Sequence, residues 1–481
     1  MTTQPAARRP RPEPTTAAQR WTFFGVISLG LFMISLDNSI LYTALPVLSQ
    51  QLGANPGQSL WIINAYPLML SGLLLGTGTL GDKVGHRRMF TIGLLIFGVA
   101  SLAAAFAPTA WALVAARAFL GIGGATMMPA TLALIRLTFE DEQERNTAIG
   151  IWSSIAVVGA ALGPLIGGAL LEVFWWGSVF LINVPVVVIA LILTMWLAPA
   201  NVPNPAKHWD ATSSVYALIA LLGLTMSIKE AANPERTGAP LAAALVAAVV
   251  GGVLFGKRQT LLSDPLLTFD IFRSRLFTGG VVAAVGSIIC FVGAEVMTVQ
   301  KLQLADGFSP LHAGLAIVAM AVAAIPASVY AGANLRRVGF LPLIAGGFAG
   351  AFVGTLLLMW GSMRASFALE LAGLAVMGVA GGAIMGVASI AIIGAAPLHR
   401  SGMAAGVEEV SYEFGALITV AVTGSLLARW LELGLTDKPY EVAYADAYHG
   451  VLLLLAAAGA CFAAITAWCF RDNPKSGSPT P

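Results

Sequence analysis

Six ionisable side chains fall inside runs that are otherwise apolar: Asp37, Arg117, Glu295, Glu408, Glu409 and Glu413. Each such charge costs about 2.5 to 3.5 kcal/mol at mid-bilayer even on the mild insertion scale. One base cannot neutralise five acids, so several must be protonated, wetted by a cavity or occupied by a cation, and exchange of a cation for a proton passes through all three states. Asp37 and Arg117 each lie about eight residues from the outer end of their runs, so at about 1.5 Å per residue they share a depth and are expected to meet. The pair reads either as a structural ion pair or as a proton carrier, Asp37, whose proton affinity Arg117 sets. Glu409 and Glu413 are four residues apart and share one helix face, while Glu408 points about 100° away. Two acids on one face suit a lipophilic cation, with Tyr412 and Trp61 as aromatic neighbours, or else hydrogen bonds between helices. Asn64 joins this substrate group, and Glu408 is its weakest carboxylate. Glu370, at the lip of its run, reads as solvated.

Positioning these groups takes helices long enough to cross a bilayer. The chain has 481 residues, of which 57% are apolar and 10% charged, against about 25% charged in soluble domains. With about 20 apolar residues needed per span, runs bounded by Gly, Pro and charge place spans near 21–45, 58–80, 89–107, 110–137, 146–171 and 176–199. Two more fall near 211–228 and 239–256, and six near 276–303, 309–333, 340–361, 366–395, 402–428 and 447–470. The expected division is a disordered cytoplasmic tail over 1–20, a six-helix bundle over 21–200, an inserted pair over 201–260, a second six-helix bundle over 261–472 and a cytoplasmic tail over 473–481. Basic residues support the count. Clusters such as Lys83, Arg87, Arg88, then Lys257, Arg258, then Arg336, Arg337 fall on one side, with Lys207, Arg400 and Arg471. Lys229, Arg236, Lys301, Arg364, Arg429 and Lys438 fall on the other, and Arg117 alone is left within a span. Positive charge accumulates in cytoplasm-facing loops, so both termini are expected to be cytoplasmic in a multi-pass protein of the plasma (inner) membrane.

Other functions find little footing. A net charge of +2 dispersed along loops offers no face for nucleic acid. Cys290, Cys461 and Cys469 lie in apolar spans without metal spacing and read as core residues. Gly76-Thr-Gly78-Thr-Leu-Gly81 fits a dinucleotide fingerprint but ends an apolar span, and Gly251 to Lys257 resembles a phosphate loop without its hydroxyl residue. No His-Asp-Ser or metal-ligand set suggests an enzyme. With no nucleotide site and no cofactor expected, uphill transport would draw on an ion gradient, of which protons are the simplest choice.

An internal repeat organises the spans. Gly78-Thr-Leu-Gly-Asp82-Lys83-Val-Gly85 is echoed by Gly332-Ala-Asn-Leu-Arg336-Arg337-Val-Gly339, and the same offset pairs the first six spans with the last six. Two halves related about an axis along the membrane normal hold a substrate site between them. The inserted hairpin is then an appendage, and Glu295 lies one turn beyond the repeat equivalent of Asp37, facing the cavity or snorkelling outward. Gly159, Gly163 and Gly167, spaced by four, with Pro164, read as a packing hinge.

The stretch Gly78-x-Leu-Gly81-Asp82-Lys83-x-Gly85-His86-Arg87-Arg88 resembles the signature loop of the major facilitator superfamily. Leu36-Asp37-Asn38-Ser39-Ile40 through Ala44-Leu45-Pro46, Arg117 with Gly121, and Gly159-x-x-x-Gly163-Pro164-x-x-Gly167-Gly168 narrow the likeness to fourteen-helix drug:proton antiporters of the QacA and EmrB type. The cluster Glu408, Glu409, Glu413 looks most like the QacA side. Departures are His86 for Arg or Lys, Leu120 for Gln, and Asn64 where Asp is common. The resemblance implies an all-α membrane protein of the major facilitator fold, two pseudo-symmetric six-helix bundles plus two helices. It also implies a monomeric proton-coupled antiporter of quaternary ammonium compounds, dyes and antibiotics, with proton coupling through Asp37, Arg117, Glu409 and Glu413. In that reading Gly78, Asp82, Gly85, Arg87 and Arg88 gate the cytoplasmic side through charge pairs. The alternative is a dedicated exporter of a metabolite, antibiotic or lipid.

Overall fold

A computed structural model describes residues 16–232, 238–262, 265–308 and 310–471. The predicted tails over 1–20 and 473–481 lie largely outside these residues, although α1 already begins at Ala17, inside the first of them. Fifteen α-helices follow one another: α1 (Ala17–Gln51), α2 (Pro56–Val84), α3 (His86–Ala105), α4 (Ala110–Thr138), α5 (Glu142–Val173), α6 (Ser178–Leu181), α7 (Asn183–Leu197), α8 (Ala211–Ala232), α9 (Gly238–Leu261), α10 (Arg275–Leu304), α11 (Pro310–Val338), α12 (Phe340–Met363), α13 (Phe367–Ala395), α14 (Ser401–Gly434) and α15 (Tyr440–Phe470). No strand occurs among the described residues. Among the described residues thirteen spans are long and apolar enough to cross a membrane, α6 and α7 together forming one of them, and α5 makes fourteen when counted whole across its 43° bend between Ala160 and Leu165.

Local sequence explains where helices start. Thr16 with Gln19, and Asn55 with Gln58, form reciprocal capping boxes, and Asp141 accepts from the Glu144 amide at the head of α5, so first-turn N–H groups find partners without water. The repeat is visible in the backbone itself. Gly85 between α2 and α3 and Gly339 between α11 and α12 take φ of 100° and 89°, a region that glycine enters without steric cost.

Packing repeats too. α1 lies on α5, α2 on α4, α3 on α4 and α3 on α7; their counterparts α10 on α14, α11 on α13, α12 on α13 and α12 on α15 are also formed. The halves meet through two equivalent crossings, α2 on α14 and α11 on α5. The outward faces are apolar, with Trp196 78% exposed, as lipid-facing surface must be because acyl chains cannot solvate polar or charged groups.

Several expectations change. The hairpin α8–α9 is not an appendage, since α8 packs against both α2 and α14. Arg117 is not alone among buried bases: Lys207 and Lys301 are buried and Lys229 half-buried. Long aliphatic stems let these lysines reach inward, Lys229 and Lys301 from the last turns of their helices and Lys207 from the loop before α8. Glu370 is only 2% exposed and meets Lys301 Nζ at 2.5 Å, with Asp306 at 2.6 Å from the same nitrogen. Cys290 and Cys469 are buried, but Cys461 is exposed on the apolar outer face. Asp210, in the loop just before α8, is gripped by Arg258 near the end of α9 at 2.5 and 3.0 Å, which holds its carboxyl well below the usual carboxylate range and clamps the ends of α8 and α9 together.

Candidate functional site

The structure brings Asp37 of α1 and Arg117 of α4 into contact, with Arg117 Nη1 donating to Asp37 Oδ2 at 2.5 Å and neither side chain exposed. The second carboxylate oxygen accepts from Asn183 Nδ2 at 2.9 Å. Asn183 is the first residue of α7, just past the break at Ile182, and also reaches Ser101 Oγ at 3.3 Å. Arg117 Nε donates to Ile62 O at 3.2 Å, and its guanidinium sits 4.7 Å from the centre of the Tyr66 ring, a cation–π contact that gains strength away from water. Sequence reasoning missed Asn183 and the role of Tyr66 here. The available signal was that Asn183 is the sole polar residue between Ser178 and Thr194.

The acids of α14 are less well supplied. Glu408 is buried and accepts from Ser389 Oγ of α13 through Oε1, while its Oε2 has no partner among the described residues. Glu409 is 1% exposed, and its buried Oε1 is likewise unpartnered. Such orphaned oxygens carry a penalty of about 1 to 3 kcal/mol each unless a proton, water or cation satisfies them. Glu413, one turn on, is half-buried. Tyr412 lies beside Glu408, its hydroxyl 3.3 Å from Ser389 Oγ and 3.4 Å from Met385 O. Trp61 is 41% exposed. Asn64 accepts from Lys229 of α8. Glu295 is half-buried on α10.

The residues expected to gate the cytoplasmic side form a different network from the one expected. Asp82, not Arg87 or Arg88, holds the charge pairs. It accepts from Lys207 Nζ at 3.0 Å and lies 3.1 Å from His86 Nε2. Across the crossing it accepts from the Gly402 and Met403 amides at 2.8 and 3.2 Å. It thus serves the N-terminus of α14, whose own cap residue, Arg400, makes no capping bond with its side chain. Arg87 instead donates to Met195 O and Pro199 O, both at 3.2 Å, at the end of α7, and the Arg88 amide donates to Asn201 Oδ1 at 3.2 Å. Gly78 abuts Gly402 so closely that a Cβ would collide with its carbonyl, and one at Gly85 would collide with the Asn201 side chain. The stripe Gly159, Gly163, Gly167 faces Ser35, Ser39 and Ile40 of α1 in its own half, so it seats the helix that carries Asp37 instead of joining the halves. The side chain of Pro164 lies outside the described set. Between the halves, Ser328 Oγ donates to Gly150 O at 2.7 Å, Arg136 to Ala396 O at 2.6 Å, and Arg336 to Glu142 at 2.6 Å. These bonds, like those of Asp82, lie toward the end that carries the α2–α3 turn.

Two repeat-related helix bundles that touch toward one end and hold ionisable groups at their centre form a membrane transporter. Residues 27–302 match the Major Facilitator Superfamily, and the chain belongs to that family, as a multi-pass membrane protein that moves small molecules and not as an enzyme. It is 36% identical to the multidrug efflux pump LfrA of Mycolicibacterium smegmatis over 85% of this chain and 81% of the pump. It is also 36% identical to the methyl viologen resistance protein SmvA of Salmonella typhimurium, over 85% and 83% of the two chains. A third relative is the tetracenomycin C resistance and export protein of Streptomyces glaucescens, 30% identical over 87% and 77%. The fold is shared with the human organic anion transporter MFSD10, with a TM-score of 0.64 and 17% identity, covering 92% of this chain and all of that one.

Proposed function

We propose that the chain is a proton-driven exporter of lipophilic, cationic compounds, working as a monomer in the plasma membrane with both termini in the cytoplasm. The observation that carries the reading is a contrast: buried α14 carboxylate oxygens lack partners, on a helix that crosses between the halves, whereas both oxygens of Asp37 are bonded. The orphaned oxygens supply a place for a proton or a cation to alternate. Asp37 carries a second proton, and Arg117 and Asn183 govern its release. Efflux pumps and a methyl viologen resistance protein among the relatives support this substrate class. In this reading residues 21–200 and 261–472 are the two bundles and 201–260 the inserted pair. A second reading, export of one dedicated compound, draws on the relative named for tetracenomycin C.

The test is ethidium efflux from proteoliposomes under an imposed pH gradient. Wild type is expected to transport only with the gradient, and Asp37→Asn and Glu409→Gln to reduce transport by more than tenfold, the scale of about 1.4 kcal/mol or more in coupling. Full proton-coupled efflux by Asp37→Asn would remove that residue from the mechanism. Absence of transport by wild type would favour the dedicated exporter.

A further inference from the structure

The inserted helix α8 is wedged between α2 and α14. A stripe of small residues on α2 seats it: a Cβ at Gly72 would press on Leu218 and Leu222, one at Gly76 would press on Ser214, and Trp209 Nε1 donates to Gly76 O at 3.0 Å. Residues four apart on α2 therefore meet residues four apart on α8, running in opposite directions. Carried on, this register sets Asn64, about two turns from Gly72, opposite the α8 turn around Met226. Lys229 stands one turn further, and helical side chains lean back toward the N-terminus of their helix, so its stem reaches Asn64 and its ammonium donates to Oδ1. The third helix falls in line. Gly402 against Gly78 and Gly406 against Leu74 and Leu75 fix α14 on α2, and the same spacing continued brings Glu413 level with the α2 turn that holds Asn64 and Pro67. α8 also packs directly on α14, so the Lys229 ammonium stands at the level of Glu413, yet its hydrogen bond goes to a neutral amide.

We infer that Lys229 is an exchangeable counter-ion of Glu413, resting on Asn64 in this structure and moving to the carboxylate when no cation holds it, so that the inserted hairpin helps set the charge preference of the transporter. The inference rests on the reading of the α14 carboxylates as the cation site. Lysine suits the task because it is a compact charge on a flexible stem, and Asn64 gives it a resting place once it leaves the carboxylate. Binding a cation then requires parting Lys229 from Glu413, whereas binding a neutral compound does not.

Equilibrium binding of tetraphenylphosphonium and of a neutral lipophilic dye to the purified full chain tests this in wild type, Lys229→Met, Lys229→Arg, Glu413→Gln and the Lys229→Met/Glu413→Gln pair. Lys229→Met is expected to bind the cation roughly tenfold tighter, about 1.4 kcal/mol, and Lys229→Arg to match wild type. The gain should vanish in the double variant, and affinity for the neutral dye should stay constant throughout. Unchanged cation affinity in Lys229→Met, with wild type binding normally, overturns this inference alone. Equal weakening for cation and neutral dye also overturns it, because a lysine that only seats α8 would act on both. A wild type that takes the dye but no cation overturns the cation-site reading and this inference with it.

Discussion

The two crossings that join the halves are built at equivalent positions with opposite chemistry. At the end of α2, Asp82 is buried and serves the bare N-terminus of α14, with Lys207 and His86 around it. At the end of α11, the equivalent residue is Arg336, 46% exposed, and it pairs with Glu142 in the first turn of α5. The difference follows from the helices they meet. α5 carries its own acids, Glu142 and Glu144, and its own cap, Asp141, so its positive end is already answered. α14 has neither an acid in its first turn nor a side-chain cap, so it borrows a carboxylate from the other half. A duplicated scaffold thereby holds one latch that couples the halves strongly and one that only decorates the surface.

Breaking the buried latch is expected to have the largest effect. Asp82→Ala strips partners from Lys207 and from two α14 amides, a loss on the scale of about 3 to 5 kcal/mol for a broken buried pair. It should cut transport by well over tenfold while the chain still reaches the membrane, as quantitative blotting beside a flux assay would show. Lys207→Met comes next, since Asp82 keeps its two backbone donors. A loss of roughly 1 to 3 kcal/mol should appear as a lowered melting temperature of the purified protein and a partial loss of flux. Arg336→Ala is the smallest. Exposed pairs are worth about 0 to 1 kcal/mol, so flux should stay within about twofold of wild type. If Arg336→Ala proved as damaging as Asp82→Ala, the two crossings would be equal partners and burial would not be what separates them.

A second contrast lies at the centre. Asp37 is held by Arg117 and Asn183 on both oxygens, while Glu408 and Glu409 each keep a buried oxygen without a partner. The first arrangement satisfies its carboxylate from within the protein, leaving only Arg117 Nη2 without a partner; the second leaves the carboxylates themselves to be completed by something that comes and goes. The repeat does not carry the ion pair over, because the position equivalent to Asp37 is Phe291, and the acids of the second half sit on α14 instead.

By itself, the sequence determined what depends on local composition and short spacing: the fourteen apolar runs, the repeat from Gly78 and Gly332, and the shared depth of Asp37 and Arg117. Helix length and side-chain depth follow directly from residue counts, so these were legible. Only the tertiary structure decided which face of each helix meets which neighbour. Burial of Glu370 by Lys301, the turn of Asp82 toward Lys207 and α14, the break that aims Asn183 at Asp37, and the wedging of α8 against α2 and α14 all join residues far apart in the chain. Almost every helix here is apolar on all sides, so no amphipathic stripe marks a buried face in advance, and packing against particular neighbours supplies what periodicity could not.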